Sequence, residues 1–359
     1  MTAVNATEAS IDRALCAAAQ LALPLSPLEP MNSAEENLKV ADNPRYNPRF
    51  AYEDQPQDEL LDALRSISAL SIPPEGVGRF FLDAQAYLTR RLSLRLNLGD
   101  DDGWAIALYP DAPAAVWMLA RGILADPVPP MMPIKRPFRA EHLVRLIEAR
   151  IREYGVTDWT VQAKVNLSST NTDSANRVVN VRAGTWYSLE EMKRLVAHEV
   201  DIHVLRAANG ASQPYRIFAV GAVPSYLMTE EGLAVINEER LGYVDVPRTR
   251  LFAGRVLASM RARTASFADV YTEQRDHGFS HDDAYNTTKR VKRGMHDTSK
   301  PGGFTKDHAY LWGRLLVEEY VVAGGALDHL FVGKIALEHL PYVATLGLHP
   351  ARFTPLPYV

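Results

Sequence analysis

One predicted helix constrains this chain more than any other part of its sequence. It covers residues 188–208, because a capping-box pattern opens it and Asn-Gly at 209–210 is a typical helix stop. Inside this helix the sequence has the pattern His-Glu-x-x-x-His, formed by His198, Glu199 and His203. Two histidines and a glutamate on one helix are typical of a metal-dependent hydrolase.

The spacing of the two histidines differs from the His-Glu-x-x-His pattern of common zinc peptidases. Residues four apart lie on one face of an α-helix, whereas residues five apart point about 140° away from each other. A shared metal ion therefore requires a local widening of the helix, and a π-helical turn would supply it. We predict such a turn between His198 and His203. Taken alone, the pattern also fits an amphipathic helix with two unrelated histidines.

A second predicted helix, over 229–241, carries two further carboxylates near its start. The sequence at 229–234 reads Thr-Glu-Glu-Gly-Leu-Ala. Zinc peptidases with two histidine ligands take a glutamate from a later helix and leave one coordination position for water. From the residues alone, Glu230 and Glu231 both qualify. The alternative interpretation is that Thr229 caps the helix and the glutamates complement its dipole.

The composition narrows the kind of metal site and the partners. The chain has one cysteine, Cys16, which excludes an internal disulfide and a cysteine-based zinc site, so its 10 histidines must supply any nitrogen ligands. A net charge of −4 gives no general attraction to nucleic acid or to an anionic membrane. No apolar stretch is long enough to span a bilayer, and no basic region precedes the N-terminal apolar run. We therefore expect a soluble, cytoplasmic protein.

Helical periodicity dominates the remaining sequence. The other predicted helices cover 8–21, 59–70, 75–96, 112–124, 140–154, 247–263, 266–276, 280–293, 305–323 and 325–340. Only 159–167, with its half-buried alternation of apolar and polar residues, and 177–182 have strand character, and a polar turn at 168–176 separates them. We expect an α+β, predominantly α fold with a small sheet beside the helix that carries the histidines.

The chain divides into three predicted regions. Residues 1–57 form an N-terminal arm, mostly extended after its first helix because proline and asparagine are frequent there. Residues 58–138 form a helical subdomain that ends in a proline-rich break. Residues 139–359 form the domain that holds the strands, both motifs and the C-terminal helices.

The chain also resembles a known family. The matching segments are 198–206, 213–214, 229–234 and 303–310. With them it resembles the bacterial QEGLA-motif proteins, named as flavohaemoglobin-expression modulators, and their eukaryotic relatives, the microtubule-associated tyrosine carboxypeptidases. The resemblance implies a zincin-like core with helical additions, one zinc ion and carboxypeptidase activity. Glu230 stands where the family name has glutamine, and the glutamate before the glycine, Glu231, is present.

The resemblance implies a role for each residue of the two motifs. His198 and His203 would bind zinc, Glu231 would be the third ligand, and Glu230 is the alternative third ligand. Glu199 would act as general base on the zinc-bound water, because zinc lowers the pKa of that water to about 7.

Hydrolysis also needs a group that stabilises the tetrahedral oxyanion. Tyr310 is our candidate and Lys306 the next, although Tyr310 fits a core aromatic equally well. His308 is an alternative that is more often structural. Asp201 and Glu238 are candidate hydrogen-bond partners of the ligand histidines, with surface exposure as the alternative for each.

A carboxypeptidase must also hold the terminal carboxylate of its substrate, and the planar fork of arginine matches that group. Arg290 and Arg293, in the basic run 289–293, are the candidates, with a solvated helix end as the alternative interpretation. Arg206 and Arg216 are less favoured options. The two predicted strands would offer a sheet edge to an extended substrate.

The leading hypothesis is a zinc-dependent metallo-carboxypeptidase that acts on a peptide or protein C-terminus. Two alternatives stay open: a zinc amidase or aminopeptidase, and a non-catalytic zinc-containing regulatory protein. A structural zinc site usually closes its fourth position with cysteine or histidine, and the two motifs contain no fourth ligand. The sequence therefore favours a catalytic site.

Overall fold

The computed structural model of the chain describes residues 6–99, 108–127, 134–165, 167, 169–223 and 225–355. Within these residues, no helix combines the length and the apolar character that a membrane span requires. Helices dominate and two small sheets accompany them, which confirms the predicted α+β, predominantly α class.

The structure assigns the following helices and strands among the described residues. The helices are α1 (Ala6–Ala22), α2 (Ser33–Asp42), α3 (Gln57–Ser68), α4 (Gly78–Leu96), α5 (Ala114–Ala125), α6 (Ala140–Glu153), α7 (Leu189–His198), α8 (Leu205–Ala211), α9 (Tyr226–Arg240), α10 (Val246–Ala262), α11 (Phe267–Asp276), α12 (His281–Lys292), α13 (Ala309–Val322) and α14 (Leu340–Val343). The strands are β1 (Phe138–Arg139), β2 (Thr160–Lys164), β3 (Asn171–Asp173), β4 (Val178–Arg182) and β5 (Trp186–Tyr187). The predicted helices from 59–70 to 140–154 and from 247–263 to 280–293 agree with α3–α6 and α10–α12.

The larger sheet has the strand order β2-β4-β3, and β1 pairs with β5 in a separate two-stranded sheet. β2 runs parallel to β4, whereas β3 runs antiparallel to it, with Thr172 opposite Val179. The buried side chains Val179 and Val181 of β4 share one apolar core with Leu143 of α6. The central strand therefore fixes the sheet against α6, and β3 becomes an edge strand.

Two expectations for the strands were wrong. Val165, on the apolar face predicted to be half-buried, is 68% exposed, because β2 is an edge strand and Val165 follows its last residue. The segment 168–176, predicted as a polar turn, contains β3. Polar side chains attach this strand to β4: Asn180 Nδ2 donates to Asn171 Oδ1 at 3.3 Å. Apolar periodicity therefore gave no sign of it.

The N-terminal arm is more helical than predicted. α1 agrees with the predicted helix 8–21, but α2 was not predicted and the extended form begins only after it. α2 forms because its buried Glu36 accepts hydrogen bonds from Tyr46 Oη and the Arg49 backbone, both at 2.9 Å. Phe50 then packs edge-on against Phe267, with 6.1 Å between ring centroids. These contacts attach the arm to α11.

The predicted helix over 325–340 was also wrong. The chain there forms 3-10 turns at Leu327–Phe331 and Leu337–His339 and then the single turn of α14. Between the turns it runs inward, since the Lys334 backbone N–H donates to Phe218 O at 2.6 Å and the Lys334 ammonium pairs with Glu230. A buried ion pair thus interrupts what the apolar pattern predicted as a helix.

α9 and α13 cross at a point where each helix has a glycine, Gly232 in α9 and Gly313 in α13. A Cβ atom at Gly232 would clash with the backbone carbonyl of Gly313, and one at Gly313 would clash with the Met228 carbonyl. Only glycine therefore allows this backbone contact. Because Glu231 directly precedes Gly232, the crossing also sets the depth of that carboxylate in the fold.

Candidate metal centre

The helix that carries the histidines contains the predicted widening. α7 ends at His198, and Glu199–Val204 form a π-helical turn before α8 begins. This confirms the prediction made from the five-residue spacing. The rings of His198 and His203 lie 4.8 Å apart between centroids and at 88° to each other. The extra residue in the turn lets both side chains face the same point.

Glu231 joins the two histidines from α9. One ligand atom from each of His198, His203 and Glu231 lies within 4.8 Å of the others, and all three side chains are buried. Glu231 Oε2 lies 3.3 Å from His198 Nε2 but has no hydrogen-bond partner among the described residues. An orphaned buried carboxylate oxygen between two imidazoles fits a cation, and a donor set of two nitrogens and one oxygen suits zinc.

Each histidine is oriented by a buried carboxylate on its other ring nitrogen. His198 Nδ1 lies 2.7 Å from Glu238 Oε1, and His203 Nδ1 lies 2.8 Å from Glu230 Oε1. A carboxylate is acceptor-only, so Nδ1 donates in each pair and Nε2 stays available as a metal ligand. Glu238 was a predicted partner, whereas the role of Glu230 beside His203 was not predicted.

Pairs of cations keep these two carboxylates ionised. Arg194 and Arg248 donate to Glu238 at 3.1 and 3.2 Å, and Arg206 and Lys334 pair with Glu230. Burial acts to raise the pKa of Glu238, but the charges of Arg248 and Arg194 outweigh it and lower that pKa below the ordinary value. The histidines thus face permanent acceptors.

Glu231 also stays ionised. Burial acts to raise the pKa of Glu231, but its interaction with His198 and the charge of Lys306 lower that pKa to about 2. Lys306 Nζ lies 3.8 Å from Glu231 Oε1 and 3.2 Å from Asp307 Oδ1. A metal ligand must be deprotonated, and this carboxylate is.

The predicted general base is held by a residue that the sequence did not indicate. The Thr172 hydroxyl on β3 donates to Glu199 Oε2 at 2.8 Å, and Glu199 is 3% exposed. Thr172 lies in the polar segment expected to be a turn, so no pattern could have singled it out. The edge strand therefore fixes the orientation of the Glu199 carboxylate.

The other predicted catalytic residues line the same cavity as the metal ligands. Tyr310 stacks on Phe252 with 5.5 Å between centroids, and its ring lies 6.3 Å from that of His198. Lys306 lies over the Tyr310 ring at 5.6 Å. Both polar groups are therefore near the three ligands.

The two predicted substrate arginines differ in their availability. Arg290 donates from Nε and Nη2 to both oxygens of Asp307, at 2.5 and 3.0 Å, and from Nη1 to Ser169 Oγ at 3.1 Å. Arg293 donates from Nη1 to Glu29 Oε1 at 2.9 Å, whereas its Nε and Nη2 have no partner among the described residues. Both arginines line the cavity, but of the two only Arg293 has buried N–H groups without a partner among the described residues.

Asp201 was wrong as a candidate partner of a ligand histidine, whereas His308 and Arg206 were the less favoured options for their roles. Asp201 pairs with Arg150 at 2.9 Å, and the Nδ1 atoms of the two ligand histidines pair with Glu238 and Glu230 instead. His308 is buried beside Trp312 and does not line the cavity. The Arg206 fork is occupied by Glu230 and by the carbonyls of the segment 330–335.

A family model described as microtubule-associated tyrosine carboxypeptidase matches residues 40–351. The chain belongs to this family. The human microtubule-associated tyrosine carboxypeptidase 1 is 31% identical over 180 residues, which are 47% of this chain and 36% of that protein. The mouse putative tyrosine carboxypeptidase MATCAP2 is 29% identical over 177 residues, 47% of this chain and 32% of that protein. The chain thus matches only about a third of the length of these curated relatives.

The family match has two consequences for the site. It covers all three candidate ligands and Glu199, so the centre lies within the matched region. It begins at residue 40, so the segment 23–29, which also lines the cavity, lies before it. The grouping with the bacterial QEGLA-motif proteins stays a prediction, as do the region boundaries at 57/58 and 138/139.

Proposed function

We propose that this chain is a zinc-dependent carboxypeptidase with a zincin-like core, whose zinc is held by His198, His203 and Glu231. One observation carries the proposal. The π-helical turn and α9 bring three buried ligand atoms within 4.8 Å of one another, and both histidines are oriented by carboxylates on Nδ1. This arrangement leaves a position for water and substrate, as catalytic zinc sites require.

A bound zinc ion would supply a Lewis acid that polarises the scissile carbonyl and lowers the pKa of water to about 7. Glu199, oriented by Thr172, takes the proton from the attacking water and delivers it to the leaving amine. Lys306 and Tyr310, which line the same cavity, stabilise the developing oxyanion. Arg290 positions Lys306 indirectly, through the Asp307 carboxylate that both contact.

The free edge of Arg293 is the proposed site for the substrate carboxylate. A buried guanidinium with two unpaired N–H groups is complementary to a carboxylate, which accepts from both at once. The free side of β3, next to Glu199, is the proposed edge for an extended substrate backbone.

We propose a C-terminal tyrosine as the preferred residue to be removed. The relatives are named as tyrosine carboxypeptidases, and Tyr87, Tyr109 and Tyr226 line the cavity. The hydroxyls of Tyr87 and Tyr109 lie 3.3 Å apart, at hydrogen-bond distance from each other, and a substrate phenol could form a further hydrogen bond to this pair. Aromatic rings also stack favourably on one another.

The test is metal analysis combined with a peptide-library digest read by mass spectrometry. We expect about one zinc per chain, release of single C-terminal residues, and loss of release after chelation. Glu199→Gln should keep zinc and lower kcat by at least about a hundredfold. Glu190→Gln, on the exposed face of the same helix, is the matched control and should behave as wild type.

Other outcomes decide against the proposal. Protein that binds no zinc rules out the metal centre. Cleavage from the N-terminus or of small amides would establish the aminopeptidase or amidase alternative. Retained zinc without any hydrolysis would establish a non-catalytic role.

A further inference from the structure

The N-terminal strap, residues 23–29, forms one wall of the cavity that holds the candidate ligands. It follows the end of α1, where Arg91 donates to the carbonyls of Ala22 and Leu23 at 3.1 and 2.9 Å and Arg95 donates to Leu21 O at 2.6 Å. Both arginines come from α4 and are buried. Cations at a helix C-terminus satisfy its orphan carbonyls, so the start of the strap is fixed.

The strap presents apolar side chains to the cavity. Leu23 and Leu25 line it together with Tyr226 and pack against one apolar cluster with Tyr87 and Tyr109. The same cavity is lined by the candidate ligands His198, His203 and Glu231. A substrate side chain in this apolar part of the cavity would meet both the leucines and the aromatic rings, so the strap helps to set the size of residue that fits.

The strap ends in an ion pair with Arg293. Glu29 and Arg293 are 8% and 1% exposed, and the guanidinium lies 4.8 Å above the Phe304 ring. Glu29 accepts a hydrogen bond from Nη1 of Arg293, and the Phe304 ring covers one face of the guanidinium. These two contacts fix the rotation of the guanidinium and leave the Nε and Nη2 edge without a partner in the described part of the chain.

We propose that the strap is a specificity-determining wall: Leu23 and Leu25 shape the pocket for the last side chain of the substrate, and Glu29 is a positioning residue that aims Arg293 at the terminal carboxylate. This rests on the proposed carboxypeptidase function. The strap lies before the family match, which begins at residue 40.

The test compares steady-state kinetics on three peptides that are identical except for a final tyrosine, a final alanine, or a final tyrosine amide. Glu29→Ala should raise KM for the two free carboxylates about tenfold, with kcat within about twofold, because only ground-state binding is lost. It should also narrow the preference for carboxylate over amide. Glu29→Gln should restore most of the affinity, since its amide oxygen still accepts from Nη1.

Leu25→Ala tests the wall itself and should shift the ratio of kcat/KM between the tyrosine and alanine peptides by about fivefold or more. Met31→Ala, an exposed change just after the strap, is the control and should alter neither ratio. Zinc content and thermal stability identify variants that misfold. If Glu29→Ala misfolds, Glu29→Gln remains a test. The proposal requires that Glu29→Gln keep the preference for a terminal carboxylate over a terminal amide, and loss of that preference contradicts it.

The outcomes separate this inference from the function on which it rests. Wild-type protein that cleaves none of the peptides overturns both. If the wild type hydrolyses the peptides, an unchanged KM and amide discrimination in folded Glu29→Ala, together with an unchanged side-chain ratio in Leu25→Ala, overturns the strap assignment and leaves the carboxypeptidase intact.

Discussion

At the scale of single residues, the candidate centre depends on carboxylates that do not contact the metal position. Glu238 and Glu230 accept from the two histidines, and each is in turn held by two cations. Such partners fix the ring orientation and the tautomer of a ligand histidine. Changing one of them should therefore affect metal affinity more than it affects the fold.

Glu238→Gln should weaken zinc binding about 10- to 100-fold, because the amide is a weaker acceptor for His198 Nδ1 and no longer neutralises Arg194 and Arg248. The measurement is zinc affinity by competition with a chelator. Glu319→Gln, at an exposed position of α13, is the control. Unchanged affinity in Glu238→Gln would show that His198 needs no such partner.

Thr172→Val removes the hydroxyl that orients Glu199 and keeps both the size and the β-branched shape of the side chain. We expect kcat to fall about tenfold while KM and zinc content stay the same, because the hydrogen bond acts on the base alone. Thr172→Ser should restore the rate. Equal rates in the valine and serine variants would contradict a role for the hydroxyl.

The ligand residues themselves could be found from the sequence, because their order and spacing carry the chemistry. From the residues alone Glu231 could not be separated from Glu230, although the family resemblance favoured Glu231. In the structure both are buried, Glu231 lies beside His198 Nε2, and Glu230 lies beside His203 Nδ1. Thr172 was out of reach because its contact to Glu199 joins two segments 27 residues apart.

At the scale of elements, the crossing of α9 and α13 connects helix packing to the metal centre. The contact leaves no space for a side chain at Gly313. Gly232 lies across the contact and directly follows Glu231. Any separation of the two helices therefore moves a candidate ligand.

Gly313→Ala should destabilise the protein by about 2–3 kcal/mol through overpacking and should lower zinc affinity, because Glu231 is displaced. Chemical denaturation and chelator competition measure the two effects. Gly122→Ala is the matched control: a Cβ there meets nothing within 4 Å, and alanine is the better helix former. A Gly313→Ala protein with wild-type stability and affinity would contradict this account.

Elements that depend on nearby sequence could be predicted, whereas elements that depend on contacts with distant residues could not. The π-helical turn follows from the histidine spacing, and most helices follow from apolar periodicity. The helix predicted over 325–340 was wrong because Lys334 turns inward to Glu230, 104 residues away in sequence. β3 was not predicted because hydrogen bonds between polar side chains, rather than apolar burial, hold it in the sheet.

At the scale of the whole molecule, the fold class could be predicted because helical periodicity covers far more of the sequence than strand-like alternation does. The packing of the N-terminal arm could not be predicted. The arm is attached by contacts to distant residues: Arg91 of α4 donates to Ala22 O, and the Tyr285 hydroxyl, more than 200 positions away, donates to Ser33 O at 2.7 Å. Nothing in the local sequence of the arm marks those partners.

We expect the free energy of unfolding to decrease at acidic pH, because one histidine is buried in its neutral form. Burial lowers the pKa of His308 to about 4, against an ordinary 6.5. Between these values the unfolded chain binds a proton that the folded chain does not, so stability declines as pH falls from 6.5 to 4. The contribution is about 3 kcal/mol.

Chemical denaturation of chelator-treated protein at several pH values measures this decline without a contribution from metal release. His308→Gln should flatten the curve between pH 6.5 and 4 relative to wild type, because glutamine does not titrate. Parallel curves for the two proteins would mean that other groups account for the acid sensitivity.

The π-helical turn has a further meaning for ancestry. It takes up one residue within a single turn, and the helices on either side keep their buried faces in the same core, with Val196 before it and Leu205 after it. Gain or loss of one codon can therefore interconvert a four-residue and a five-residue histidine register without rebuilding the surrounding protein. Two metal-binding signatures that look unrelated when written as letters can be one mutational step apart.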